Sequence, residues 1–228
     1  MLYKNYKCKK SGNVEDLVLE SSLRNRLKKN QVRVKVLAIG LNYVDTLMIK
    51  GTYQYKNKIP FIPGTEACGI VIEENCNNKK LLNKKTIIIS KNRCFSEEII
   101  LEYKELILIN KNISTIQGSS FFMSSLTAYI ALKEIAKVKK KDVLLITGAS
   151  GAIGKACINL ALYLGLDVIC IVGNNKKIEV IKKMGIKKVI NIKGDIKEKI
   201  MDFTNQKGVN IALDINGFLK YHNILSCI

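Results

Sequence analysis

The chain has 228 residues, of which 47% are hydrophobic and 25% charged, and its net charge is +19. This length allows one large globular domain or two small ones. No apolar run follows the opening "MLYKNYKCKK", which argues against a secretion signal, and the most apolar stretch, residues 158–173, is interrupted by Asn159 and Asp167. We therefore expect a cytoplasmic protein with no membrane partner.

Seven cysteines are present, and none forms a C-x-x-C pair. Their number is odd, and Cys157 and Cys170 lie in apolar runs. This pattern predicts reduced thiols rather than a disulfide framework or a zinc knuckle. The lysines are spread along the whole chain, often in pairs, which is typical of a solvated surface, so nucleic acid is not the partner we expect.

The first half of the sequence predicts strands. The segment "VRVKVLAI" (residues 32–39) alternates apolar and polar residues, and "CGIVIEE", "KTIIIS", "FSEEIIL" and "ELILIN" follow at short spacing. This pattern indicates an antiparallel barrel or sandwich. One helical insert is predicted at residues 43–50.

The second half predicts alternating helices and strands. A helical segment opens at Ser114, a capping residue, and runs to about residue 136. Four strands then alternate with helices: "DVLLITG", "DVICIVG", "KKVINIK" and "NIALDIN". Such alternation is typical of a doubly wound parallel sheet with right-handed crossovers.

The stretch "TGASGAIG" lies between the first of these strands and the next helix, with glycines at 148, 151 and 154. A helix N-terminus can hold a phosphate if no side chain keeps the backbone away. In that arrangement Gly148 permits the turn, Gly151 lets a diphosphate approach, and Gly154 allows close packing of the helix. A simple tight turn is the alternative. The dinucleotide site is predicted to include Gly148, Ser150, Gly151, Ala152, Ile153 and Gly154.

The end of the second strand indicates which dinucleotide binds. Enzymes that use NAD usually place an acid there, to bind the ribose 2′-hydroxyl. This chain instead has "ICIVGNNKK", in which Gly173, Asn174 and Lys177 could receive a 2′-phosphate. We therefore expect NADPH as the cofactor, with Asn216 after the fourth strand as a further contact.

With both halves considered, the chain resembles the zinc-free quinone oxidoreductases of the medium-chain dehydrogenase/reductase superfamily, the zeta-crystallin-like group. The matching segments are "AIGLNYVDTLMIKGTY", "PFIPGTEACGIV", "SLTAY", "VLLITGASGAIG" and "GVNIALDING". The resemblance implies an α/β protein: a GroES-like β-barrel domain (1–113) followed by a partial Rossmann doubly wound parallel sheet (114–228). It also implies hydride transfer from NADPH to a quinone.

The same resemblance implies the site residues. Asn42 and Thr65 stand where zinc alcohol dehydrogenases of the superfamily carry a Cys and a His, and the only histidine of the chain is the distant His222. A zinc site needs such ligands, so no metal is expected. Asn42 and Thr127 are then expected near the nicotinamide, Tyr53 in the acceptor pocket, and Asp45 in a structural role. The simpler alternatives are helix caps for Asn42 and Asp45, ordinary packing for Tyr53, and an ordinary helix residue for Thr127.

The chain departs from the family at several places. Ile192 replaces a common Tyr that helps to hold the 2′-phosphate, and Ile215 and Phe218 replace a Pro and a Gly. Only four of the six strands of a complete Rossmann sheet are predicted. We therefore expect a truncated relative with poor activity, and a homodimer only if a longer chain exists. Two other functions stay open: an enal or acrylyl-CoA reductase, and an inactive basic fragment that binds RNA or a protein.

Overall fold

The computed structural model describes residues 1–217 and 224–228, so the predictions for Phe218 and His222 fall outside the described residues. The chain forms two compact units, Met1–Met123 and Ser124–Ile228. The sequence analysis predicts a domain boundary after residue 113, just before the helix Thr115–Ser120. That helix packs against strands of the first unit.

The first unit is built from antiparallel strands. Its strands are β1 (Leu2–Lys7), β2 (Val18–Leu23), β3 (Gln31–Gly40), β4 (Glu66–Glu74), β5 (Lys85–Ile89), β6 (Glu98–Glu102) and β7 (Ile107–Leu108). Five of them form one sheet in the order β6-β3-β4-β5-β7, while β1 and β2 pair with each other. Helix α1 (Tyr43–Ile49) follows β3, and helix α2 (Thr115–Ser120) packs against β3, β4 and β5.

The five-stranded sheet confirms the strands predicted in the first half. Val32 and Val34 of β3 are fully buried and pack with Ala67 and Val71 of β4 and Ile88 of β5. The pair β1–β2 was not predicted. Its strands bury only Asn5 fully, so they show no apolar stripe that a sequence pattern could reveal.

The prediction of one helix from Ser114 to about residue 136 was wrong in one respect. Ser114 does cap α2, because its Oγ accepts the Gln117 N–H at 3.1 Å, but α2 ends at Ser120 and a new helix, α3, begins at Phe122. Helix α3 (Phe122–Tyr129) then continues as a π-helical segment, Ile130–Ile135. The break occurs where a buried carboxylate, Glu66, takes the N–H of Phe122.

The second unit contains the parallel sheet. Its strands are β8 (Val143–Ile146), β9 (Asp167–Val172), β10 (Lys188–Asn191) and β11 (Ile211–Leu213), and its helices after α3 are α4 (Ala152–Tyr163), α5 (Asn175–Lys182) and α6 (Ile196–Phe203). The strand order is β10-β9-β8-β11, and every pairing is parallel. This is the order 3-2-1-4 expected for the opening four strands of a doubly wound sheet.

The burial of residues in β9 and α4 agrees with a sheet that helices cover on both faces. Five of the six residues of β9 are buried, as expected for a parallel strand between two helical layers. Helix α4 buries one side against the sheet, with its buried residues spaced three or four apart, and these are Gly154, Cys157, Ile158 and Ala161. The predicted mixed fold is therefore confirmed.

All seven cysteines are free thiols, and all but the half-buried Cys76 are buried. Burial raises the pKa of Cys94 and of Cys170 to about 12 and that of Cys157 to about 11. None of the helices in residues 1–217 and 224–228 combines the length and the apolar character that a membrane crossing requires.

We expect Leu145→Ala to lower the free energy of unfolding by about 2–5 kcal/mol, because Leu145 is a fully buried residue of the central strand β8 and its truncation leaves a cavity. Leu162→Ala is the matched control, since that side chain is 44% exposed. Urea unfolding followed by circular dichroism measures both. Equal losses for the two variants would contradict the assignment of the core.

Candidate functional site

The glycine turn lies directly after β8. Gly148 has φ +60°, a left-handed conformation that favours glycine, and the Gly151 N–H donates to the Gly148 carbonyl at 3.0 Å. Gly151 is the N-cap of α4. The predicted arrangement of strand, tight turn and helix is therefore present, with Ser150 and Ala152 on either side of Gly151.

The three glycines serve different purposes. A Cβ on Gly154 would lie 2.5 Å from the Ala149 carbonyl oxygen, so this glycine lets the first turn of α4 pack on the loop before it. A Cβ on Gly151 would meet only the Gly148 oxygen, at 3.4 Å, which is an ordinary contact. The space above Gly151 is therefore open on the side where a ligand could lie. Ile153 is half-buried and packs against the core of this unit.

The start of α4 differs from the starts of α5 and α6 in its N-terminal capping. Asn174 caps α5 by accepting the Lys177 N–H at 3.0 Å, and Asp195 caps α6 by accepting the Glu198 N–H at 3.0 Å. Helix α4 begins at a glycine and has no side-chain cap. The N–H groups of its first turn are thus left for a ligand, and the helix dipole favours an anion there.

The strand order places this helix start at the point where the sheet reverses its direction of growth, between β8 and β11. There the Thr147 hydroxyl donates to Asp214 at 2.5 Å, and the Ile215 N–H donates to the Thr147 oxygen at 3.1 Å. The Asn216 side chain covers Gly148, where a Cβ would lie 2.6 Å from the Asn216 Oδ1. Ligands of open parallel sheets bind in the crevice at such a reversal point.

The residues after β9 are those predicted to receive a 2′-phosphate. Gly173 has no atom within 4 Å of the position of a Cβ, and Lys177 is exposed. Asn174 uses its Oδ1 as the cap of α5, which leaves its Nδ2 as the group that could bind a ligand. Ile192, the replacement for a Tyr, is half-buried and packs against the cluster around Leu145.

In the first unit, Asn42 is the N-cap of α1 and lies beside two residues at the start of β4. Its Nδ2 donates to Thr65 Oγ1 at 3.3 Å and to Glu66 Oε2 at 3.4 Å. Asp45 accepts the backbone N–H of Asn42 at 2.9 Å, as the third residue of the helix does in a capping box. The capping interpretation of Asn42 and Asp45 is thus realised in the structure, whatever further role Asn42 has.

Glu66 is fully buried and accepts the N–H groups of Phe122 at 2.6 Å and Met123 at 3.3 Å with Oε1. Burial raises the pKa of Glu66, while these backbone N–H groups act in the opposite direction. Burial also raises the pKa of Asp45, which is 3% exposed, against the effect of the Asn42 N–H. Two carboxyl groups are therefore buried beside Asn42.

Tyr53 and Thr127 occupy different surroundings. Tyr53 is half-buried and packs against the cluster of Cys8, Met48, Ile49 and Phe61, as the simpler packing alternative predicts. Thr127 is an exposed residue of α3 in the second unit. Asn42 and Tyr53 belong to the first unit.

Comparison with known proteins agrees with these features. Residues 28–142 match the model of the alcohol dehydrogenase GroES-like domain, and residues 152–228 match that of a zinc-binding dehydrogenase. The first match covers half of the chain. The chain belongs to the alcohol dehydrogenase GroES-like family. The predicted relation to medium-chain dehydrogenases is thereby confirmed.

Individual relatives carry quinone oxidoreductase names. The chain is 29% identical over 230 residues to a quinone oxidoreductase-like protein 2 homolog of Nematostella vectensis, and the match covers 99% of this chain and 62% of that protein. It is 28% identical over 209 residues to the human quinone oxidoreductase, with 90% and 63% covered. The chain thus spans less than two thirds of the length of these relatives.

A solved structure gives the same fold. The quinone oxidoreductase from Thermus thermophilus, whose complex with NADPH was also solved, superposes with a TM-score of 0.83 at 24% identity. That match covers 99% of this chain and 70% of the other. The similarity supports the fold of each part, the GroES-like domain and the parallel sheet.

The family model that matches the second half is named for zinc binding, but the side chains around Asn42 differ from the ligands that zinc requires. Zinc is bound by thiolates, imidazoles and carboxylates. Asn42 and Thr65 supply an amide and a hydroxyl, and Glu66 is already engaged by backbone N–H groups. No group of three or more His, Cys, Asp or Glu residues within 1–217 and 224–228 could hold a metal ion. These donors do not fit zinc.

Two features of the site were missed by the sequence analysis. Glu66 appears in the sequence only as an acid at the head of an apolar strand, which was a usable signal because an acid in a buried strand needs partners. The pair Thr147–Asp214 joins residues that are 67 positions apart, and no local pattern indicates it.

Stability should depend on pH through Asp45. The folded state raises the pKa of this carboxyl group, so its contribution to stability is complete below the ordinary carboxyl pKa and is lost as pH rises through the folded value. Asp45→Asn keeps an oxygen that can accept the Asn42 N–H and removes the titration. We expect the variant to match the natural chain below the ordinary carboxyl pKa and to gain stability relative to it as pH rises above that value, measured by urea unfolding. A difference that is independent of pH would contradict this account.

Proposed function

We propose that the chain is the nucleotide-binding and nicotinamide-contacting part of an oxidoreductase that transfers a hydride from NADPH to a quinone or a similar conjugated carbonyl compound. The observation that carries this proposal is the uncapped start of α4 at Gly151, at the reversal point of a parallel sheet. The quinone oxidoreductase names of the relatives support the choice of acceptor.

The residues divide into three proposed roles. The turn from Gly148 to Gly154, with Asn216 beside it, receives the diphosphate, and Gly173, Asn174 and Lys177 receive the 2′-phosphate. Asn42 and Thr127 contact the nicotinamide, and Tyr53 lines the acceptor pocket. A reduced nicotinamide supplies the hydride, while the protein orients the ring, excludes water and uses no metal.

The glycine turn gives a direct test. Gly151→Val should fold normally, because a Cβ there has only an ordinary contact at 3.4 Å and the residue is not in a left-handed conformation. The added side chain fills the space above the start of α4, so the dissociation constant for NADPH should rise about tenfold or more. NADPH fluorescence titration measures it, with Leu162→Val in the same helix as the control. Unchanged binding in the glycine variant would overturn the proposal.

Cofactor preference gives a second test. Lys177 is exposed, so its proposed contact with a 2′-phosphate is a weak, salt-screened interaction. We expect Lys177→Ala to lower the preference for NADPH over NADH by about two- to fivefold at low salt. Lys183→Ala, at the other end of α5, should leave that preference unchanged. Equal effects of the two variants would show that only general charge is involved.

Rates of NADPH oxidation with different acceptors test which class of compound receives the hydride. Oxidation of NADPH with a benzoquinone should exceed that with an enal or acrylyl-CoA if the quinone assignment is right. The reverse result favours the double-bond reductase. If the chain shows no NADPH fluorescence change but shifts RNA in a salt-dependent gel assay, the basic-fragment alternative replaces both.

A further inference from the structure

A small network of hydrogen bonds joins the end of β8 to the loop that follows β11. Thr147, which is 3% exposed, donates its hydroxyl proton to Asp214 Oδ1 at 2.5 Å and accepts the Ile215 N–H at 3.1 Å. The same Asp214 oxygen also accepts the backbone N–H of Asn216 at 3.2 Å. Residues 214–216 are therefore tied to the end of β8, next to the glycine turn.

The network ends at a residue whose side chain covers that turn. If a Cβ were added to Gly148, the Oδ1, Cγ and Nδ2 atoms of Asn216 would lie 2.6, 2.9 and 3.0 Å from it, so the amide group fills the space next to the Gly148 Cα. Gly148 begins the turn that leads to the uncapped start of α4. Asn216 is nevertheless exposed, so a ligand in the crevice between β8 and β11 can reach it.

We propose that Thr147 and Asp214 are positioning residues of the nucleotide site, which hold the Asn216 amide over the glycine turn so that it contacts the diphosphate. This inference rests on the proposed function, in which Asn216 lies beside the turn that receives the diphosphate. Thr147 and Asp214 need not touch the ligand in this role. Their effect passes through Asn216, because a loop released from β8 would let the amide move away from Gly148.

Substitutions at Thr147 separate positioning from simple packing. Thr147→Val keeps the shape of the side chain and removes the hydroxyl, so that Asp214 Oδ1 and the Ile215 N–H each lose this partner. Thr147→Ser keeps the hydroxyl and loses only a methyl group. Thr204→Val is the matched control. The Thr204 hydroxyl is also buried and accepts a backbone N–H, that of Gly208 at 3.0 Å, but it lies before β11 rather than after it.

The first measurement is the dissociation constant for NADPH, obtained by fluorescence titration. Thr147→Val should raise it several-fold, Thr147→Ser should return it close to the natural value, and Thr204→Val should leave it unchanged. In the Asn216→Ala background, Thr147→Val should have little further effect, because the side chain through which it acts is already missing. The inference is overturned if Thr147→Val does not weaken binding, if it weakens binding equally in both backgrounds, or if serine binds as weakly as valine.

The second measurement needs no ligand. In ¹⁵N–¹H correlation spectra, the side-chain NH2 signals of Asn216 should shift in Thr147→Val and stay in place in Thr204→Val. Unmoved signals in Thr147→Val would also overturn the inference. If Thr147→Val does not fold, Asp214→Ala, at an exposed position, removes the other partner of the bond and is judged by the same signals and titrations. If the natural chain does not bind NADPH, the proposed function fails, whereas the spectra still decide whether Thr147 holds Asn216 in place.

Discussion

One buried carboxylate connects three segments of the first unit. Glu66, at the start of β4, is bonded to the amide of Asn42 and to the backbone N–H groups of Phe122 and Met123. A buried acid without hydrogen bonds costs several kcal/mol, so these donors are needed for the fold as well as for the site. The same carboxylate thus lies at the break between α2 and α3 and beside the amide of Asn42.

Glu66 accepts backbone N–H groups at the start of α3, whereas the start of α4 in the second unit has no side-chain cap. Asn174 and Asp195 satisfy the first turns of α5 and α6 with their own side chains, while α4 starts at Gly151 without such a cap. A protein that caps two neighbouring helices and leaves the third uncapped has unused N–H donors at one place. That place is also the reversal point of the sheet, so local chemistry and topology agree.

The parts of the structure that the sequence predicted are those with local signals. The parallel strands were predicted from their apolar runs and from the glycine turn, which are signals between residues close together in the chain. The break between α2 and α3 was missed because its cause, Glu66, is 56 residues from Phe122. The clash that excludes a side chain at Gly148 comes from Asn216, which the glycine spacing does not reveal. The roles of Asn42, Tyr53 and Thr127 stay predictions.

The buried thiols give each unit an internal reporter of its own motion. Cys94 lies in the core of the first unit, and Cys157 and Cys170 lie in that of the second. Since modifying reagents attack the thiolate, these cysteines react only when their surroundings open and water enters. Even the half-buried Cys76 has its pKa raised, by burial and by its bond to Glu74. The rates of alkylation at these positions therefore measure how often each half of the molecule opens, without any introduced label.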